Sequence, residues 1–258
     1  MKILLQIFIL TTLLLSTLDA KKTQDDIDHI ALAALLLHDG HVQKASDALT
    51  NVDTEAKGVD LIRYYTLKGL VALKQGDYAS SNKHFLASIK AGQEDKTIFL
   101  YMAQNSFKLQ NYKESLGYLD AAAELSLDKA SLYSLRAEAL WRLQEKEKAL
   151  NVLTQGMEKF TEEYTLLKQR FFYYISLDLY QSALDDAHRY LEYGKLDEKS
   201  ALVFINAFKN AKQLNNAITL AEELLLEFES SAKLTALLAY LYIDKGDLQT
   251  AADLFDKA

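Results

Sequence analysis

The sequence predicts an all-α fold built from stacked helical hairpins, and three observations carry that prediction. A small residue recurs every 34 positions, at Ser81, Ser115, Ala149, Ala183, Ala217 and Ala251. The pair Gly76-Asp77 returns as Gly246-Asp247, five periods later, and each is followed by that small residue and then a Phe. The 258-residue chain contains no Pro, so no helix interior is broken by a residue lacking its N–H. Self-similarity at a period of this size marks a repeat architecture, in which each unit buries its apolar face only against its neighbours.

The chain opens MKILLQIFILTTLLLSTLDA. One Lys, an apolar run from Ile3 to Leu15 and the small residue Ala20 match the layout of a secretory signal cleaved after Ala20. The run is shorter than the roughly 20 residues a membrane span needs, with an uncleaved anchor as the alternative. No Cys is present, which excludes a lipid anchor on that residue and any disulfide. The mature chain is therefore expected to be exported, most simply to a periplasm, and to be stabilised by packing alone.

After a short segment at 21–25, repeats are expected to begin near Asp26, Ile62, Lys96, Ala130, Tyr164, Glu198 and Ala232, continuing to Ala258. The first carries two extra residues, since Ala45 lies 36 before Ser81. Within each unit the first helix should span about positions 2–14 and the second about 18–30, each at least three turns long. Turns are marked at Asp39-Gly40, Gly76-Asp77, Gln110-Asn111 and Gly246-Asp247. With no Pro at the junctions, the second helices are expected to run long, ending at places such as Ala91-Gly92 and Tyr193-Gly194.

Position 8 is small in five repeats: Ala33, Gly69, Ala103, Ala137 and Ala239. Position 24 is then large: Leu49, Phe85, Leu119, Leu153 and Phe255. Repeats five and six invert both, with Phe171 against Ala187 and Ile205 against Ala221. Close packing demands that a large residue meet a small neighbour, so each pair is expected to touch within its own repeat. With small residues at positions 8 and 20 and a large one at 24, the chain resembles the tetratricopeptide-repeat family from Asp26 to Ala258. That resemblance implies a right-handed α-solenoid of about seven units whose first helices line a concave, partner-binding groove through positions 2, 5, 9, 12 and 13.

Transferred to this chain, those positions are Arg63, Thr66, Leu70, Leu73 and Lys74 in repeat two, and Thr97, Leu100, Gln104, Phe107 and Lys108 in repeat three. Repeat four supplies Ser131, Ser134, Glu138, Trp141 and Arg142; repeat five Thr165, Lys168, Phe172, Ile175 and Ser176; repeat six Lys199, Leu202, Asn206, Lys209 and Asn210. Seven of these are basic and only Glu138 is acidic, although the chain carries 36 acids against 29 bases. Lys74, Lys108 and Arg142 share position 13 and are expected to form a ladder flanked by Phe107 and Trp141. The expected partner-binding set is Arg63, Lys74, Gln104, Phe107, Lys108, Trp141, Arg142, Lys168, Phe172, Asn206 and Lys209. It suits an extended, acidic peptide with one or two apolar anchors, steered by charge and held by aromatics. In the Phe171–Tyr174 run only Phe172 is expected to reach the groove, Phe171 and Tyr174 being core. The Lys-plus-Asn carboxylate clamp known in chaperone-binding members, at positions 5 and 9 of one repeat, does not occur.

No phosphate loop, nucleophile elbow or zinc-protease motif is present. The five His are not accompanied by Cys, and His29, His38 and His41 lack metal-ligand spacing, so no metal and no cofactor is expected. A net charge of −7 argues against nucleic acid as a partner. Asp185-Asp186 and Glu222-Glu223 read as solvated helix faces. Leu237, Leu241, Leu248 and Phe255 read as an apolar end face, covered by a continuation of the chain or by a partner chain. The expected function is thus a non-enzymatic scaffold of the cell envelope; the alternative is the structural N-terminal solenoid of a larger envelope protein whose activity lies further on.

Overall fold

The computed structural model describes residues 28–124 and 128–258. The signal-like segment 1–20, the segment 21–25 and the first residue of repeat one, Asp26, lie outside the described residues. Among the described residues all regular structure is helical. Fourteen helices pair in chain order into seven hairpins: α1 His29–His38 with α2 Val42–Thr50, α3 Leu61–Gln75 with α4 Tyr78–Lys90, and α5 Thr97–Lys108 with α6 Tyr112–Glu124. Then come α7 Ala130–Arg142 with α8 Lys146–Lys159, α9 Tyr164–Ser176 with α10 Tyr180–Leu191, α11 Glu198–Asn210 with α12 Leu214–Glu227, and α13 Ala232–Lys245 with α14 Leu248–Phe255. The chain divides into two compact units at Leu127/Asp128, with α1–α6 in the N-terminal unit and α7–α14 in the C-terminal unit. No helix among the described residues is long and apolar enough to cross a membrane.

One turn geometry is used seven times. Position 15 of every repeat is left-handed: Gly40, Gly76 and Gly246 at φ 82°, 79° and 89°, but also Gln110, Gln144, Asp178 and Lys212 at φ 57–66°. In each turn the following N–H donates back to the carbonyl five residues earlier, as in Asp77 to Ala72 (2.9 Å), Glu145 to Leu140 (2.9 Å) and Gln213 to Phe208 (2.9 Å). This is the Schellman closure of a helix C-terminus, and it requires a positive φ whatever the side chain. An L-residue there is strained by about 1–2 kcal/mol, while glycine loses part of that advantage through its freer unfolded chain. Gln144→Gly and Lys212→Gly are therefore expected to stabilise the chain by about 0.5–1 kcal/mol each. Urea denaturation checks this; an unchanged or lowered midpoint would contradict it.

The helix-pair contact rests on the small positions. Gly69 lies so close to Phe85 that an added Cβ would sit 2.5 Å from the ring. Ser81 and Ser115, at position 20, are fully buried, and their hydroxyls donate to the position-8 carbonyls of Gly69 and Ala103 at 2.8 Å. The serines thus act as small residues that also lock one helix to the next. Phe171, Ala187, Ile205 and Ala221 are all fully buried, on the helices of repeats five and six. Phe171 packs at 3.9 Å between ring centroids on Phe204 of the following repeat.

Three sequence expectations need correction. The second helices are not long: α4, α6, α8, α10 and α12 have 12–14 residues, against 12–15 in the first helices from α3 to α13. Their ends are set without Pro. Gly92 turns at φ 106°, and Gly194 sits where a Cβ would strike the Tyr190 ring at 2.5 Å, so the chain hugs the helix it has just left. Asp186 is not on a solvated face. It is fully buried and holds Arg170 of α9 through Nε (2.8 Å) and Nη2 (2.6 Å), while Arg170 Nη1 donates to Thr154 of α8 (2.7 Å). Its neighbour Asp185, like Glu222 and Glu223, is exposed. Leu241 does not belong to an exposed end face, being fully buried, and Leu237 is half-buried; Leu248 and Phe255 are exposed, with Tyr240 and Ile243.

Candidate partner-binding surface

Each first helix turns its small and apolar residues inward and leaves a stripe of longer side chains outside. On α3, Leu67, Gly69, Val71 and Ala72 are buried, whereas Arg63 and Lys74 are exposed. Eleven residues apart, these two fall on one helix face because three turns span about eleven residues. On α5 the stripe is Gln104 and Lys108, both exposed, with Phe107 half-buried against Tyr112 at 5.2 Å. Asp60 anchors the start of α3 by accepting the Arg63 N–H (2.9 Å). Lys74 and Lys108 each lie in the last turn of their helix, where a cation is favoured by the helix dipole. Among the described residues, neither they nor Arg63 makes an ion pair.

The C-terminal unit treats its predicted residues differently. Trp141 of α7 is stacked on Tyr173 of α9, with centroids 3.9 Å apart and planes at 10°. The Lys146 ammonium lies 3.7 Å from the indole centroid. One face cannot hold both groups at those distances, so both faces of the indole are covered and Trp141 stitches two repeats together. Arg142 is exposed and reaches Glu138 at 3.4 Å. Lys168 reaches Asp197 at 3.4 Å, and Lys209 reaches Asp244 at 2.7 Å. Phe172 packs edge-on against Phe171 at 5.3 Å and against Phe204 at 6.4 Å. Asn206 donates to the Leu202 carbonyl of its own helix at 2.8 Å. The expected anchors Trp141 and Phe172 are therefore engaged within the fold, and three cations have carboxylate partners.

Several residues on this surface escaped the position rule. Tyr173, at position 10, is the partner of Trp141; its hydroxyl accepts from Gln169 (3.0 Å), which is tied in turn to Ser134. Burial pushes the Tyr173 phenol up to about 12. Tyr240 and Ile243 occupy positions 9 and 12 of repeat seven and are 56% and 41% exposed. They are exposed apolar side chains at groove positions, and extending the position rule to repeat seven would have found them. Asp197 and Asp244 went unnoticed because nothing local in the sequence pairs them with lysines 29 and 35 residues earlier.

Asp197 also caps α11, accepting the Ser200 N–H (2.8 Å) and hydroxyl (2.9 Å). These bonds, with Lys168 adding to them, hold its carboxyl at about 2. A carboxyl depressed on folding stabilises the fold above its unfolded value, near 3.9, and loses that contribution as the pH falls through the folded value. Asp77 and Asp247, lowered by the same caps from Ser80 and Thr250, act in the same direction. Stability is thus expected to fall from pH 4 towards pH 2. Asp197→Asn, which keeps a capping oxygen but does not titrate, should flatten that fall; an unchanged acid profile in thermal denaturation would rule out this account.

Among the described residues no three His, Cys, Asp or Glu side chains are placed to hold a metal ion. His38 lies at 3.1 Å from Asp39 in an exposed turn. Neither a known protein-family profile nor a curated protein sequence matches the chain. Solved structures do. The C-terminal part of a TPR repeat-containing protein from Cytophaga hutchinsonii superposes with a TM-score of 0.65 at 13% identity, over 76% of this chain and 77% of its own. PilF of Pseudomonas aeruginosa gives 0.61 at 12% identity, over 82% and 96%. This chain has the tetratricopeptide-repeat fold. YrrB, described as a TPR protein with an unusual peptide-binding site, superposes on the array at 0.57 and 19% identity, over 75% and 97%. The helix-hairpin repeats expected from the 34-residue period are those that the solved TPR structures share.

Proposed function

We propose that this tetratricopeptide array is a non-enzymatic scaffold of the cell envelope, exported by a cleaved signal, which holds an extended and partly acidic segment of a partner protein along its first helices. The observation that carries this reading is the stripe of Arg63, Lys74 and Lys108. Arg63 and Lys74 are exposed on α3 and Lys108 on α5, where it follows the half-buried Phe107, and among the described residues none of the three makes an ion pair. Charge of this kind steers encounter and selects partners, while neighbouring apolar side chains supply affinity. The peptide-binding site in the description of YrrB, a protein of the same fold, supports a peptide as the occupant.

The test is a photo-cross-linking residue placed at Gln104 in the exporting cell, with Leu86 on α4 as an exposed second-helix control. Adducts are expected from Gln104 and not from Leu86, and should vanish when Lys74→Glu and Lys108→Glu are added. Equal adducts at both sites, or adducts indifferent to the charge reversal, would exclude the first-helix surface as the docking site. Cell fractionation of the same strain tests export.

A further inference from the structure

The two units differ in what their groove cations already hold. In repeats two and three the position rule finds Arg63, Lys74 and Lys108 and no acid, and all three are exposed without an ion pair among the described residues. In the C-terminal unit Arg142, Lys168 and Lys209 each face a carboxylate of the same unit, on Glu138, Asp197 and Asp244. Asp197 is moreover immobilised by Ser200, so Lys168, whose side chain is 27% exposed, meets a preset anion. Two further groove cations of that unit, Lys199 and Lys233 at position 2 of repeats six and seven, are exposed, and Lys199 follows Asp197 and Glu198 directly in the chain.

Resting on the reading above, we infer that the acidic part of the partner is read by Arg63, Lys74 and Lys108 of the N-terminal unit and not by Lys168 and Lys209, where Asp197 and Asp244 occupy the places partner carboxylates would otherwise take. A cation already satisfied offers little to a second anion, because the incoming carboxylate must displace the resident one and is repelled by it. An uncovered lysine gains a new partner without that exchange. Repeat seven of the C-terminal unit also offers two exposed apolar side chains at groove positions, Tyr240 and Ile243.

The experiment uses the full chain as exported and a fluorescein-labelled library of 12-residue peptides. Half the peptides combine Glu and Asp with one Leu or Phe; the other half are their Gln and Asn counterparts. Affinity is read by fluorescence polarisation at two salt concentrations, with circular dichroism confirming that each variant is folded. Lys74→Gln with Lys108→Gln should weaken the best acidic peptide by about tenfold, the value of two exposed charge contacts. Lys168→Gln with Lys209→Gln should change it by less than about twofold. Asp197→Asn with Asp244→Asn, which frees the two lysines, should tighten acidic peptides severalfold and steepen their salt dependence. If the C-terminal lysine variants lose as much affinity as the N-terminal ones, or the Asn variants fold but gain nothing, the division between units is wrong while the acidic-partner reading stands. If no acidic peptide outbinds its amide counterpart on the unaltered chain, the acidic-partner reading itself falls.

Discussion

Replacing Asp186 by Ala is expected to destabilise the C-terminal unit by about 3–5 kcal/mol, the cost of stranding a buried charge. Asp186 is fully buried, and Arg170, the guanidinium it pairs, has a side chain only 15% exposed. Arg170 is held at Nε and Nη2 by the carboxylate and at Nη1 by Thr154, so it joins α8, α9 and α10. Removing the carboxylate leaves a largely buried guanidinium with the Thr154 hydroxyl as its remaining hydrogen-bond acceptor and the Tyr174 ring 5.7 Å away. Asp186→Asn should cost less, since an amide oxygen still accepts one of the two bonds. Trp141, the sole Trp of the chain, lies in the same unit and reports its unfolding by fluorescence. Equal midpoints for Asp186→Ala and the unaltered chain would show the pair to be dispensable. The double variant Arg170→Met with Asp186→Leu should recover much of the loss, because a buried ion pair replaced by apolar groups of similar volume is often neutral.

Phe171→Ala is expected to cost about 3–5 kcal/mol, as large aromatic truncations in a packed core do. The ring is fully buried, 3.9 Å from Phe204 and 5.3 Å from Phe172 between centroids. Ala187→Leu alone should also destabilise, by about 1–3 kcal/mol, through overpacking. Together the two changes recreate the Ala-and-Leu pair found at positions 8 and 24 of repeats one, three and four, and should lose clearly less than the sum. Strict additivity in urea denaturation would show that Phe171 and Ala187 do not share one space. The logic is visible in repeat two, where Gly69 carries no Cβ and the Phe85 ring fills the space 2.5 Å from where one would be. The volumes run from Gly with Phe, through Ala with Leu, to Phe or Ile with Ala, as a fixed inter-helix space requires.

Much of the architecture was legible because it depends on period and size. Small residues at position 20 and the turns bearing Gly can be read directly, since each is a local demand repeated every 34 residues. The turns at Gln144, Asp178 and Lys212 carry no such residue, yet they adopt the same left-handed backbone. There the two back-donated hydrogen bonds and the packing of the flanking helices impose a conformation the side chain does not favour. The candidate surface was legible as a set of positions, and less so as a set of free groups. Trp141 and Phe172 lie on predicted positions, but aromatic neighbours from adjacent repeats engage them.

The sequence by itself determined the 34-residue repeat, the helical-hairpin fold class and the exchange of large and small residues between positions 8 and 24. Only the tertiary structure decided that Asp186 is inside rather than solvated, and that Lys168 and Lys209 are paired while, among the described residues, Lys74 and Lys108 are not. The reason is range. Helical periodicity and residue size act between neighbours a few positions apart, whereas a charge is defined by whatever lies within about 4 Å of it. For these residues that neighbour comes from 16, 29 or 35 positions along the chain.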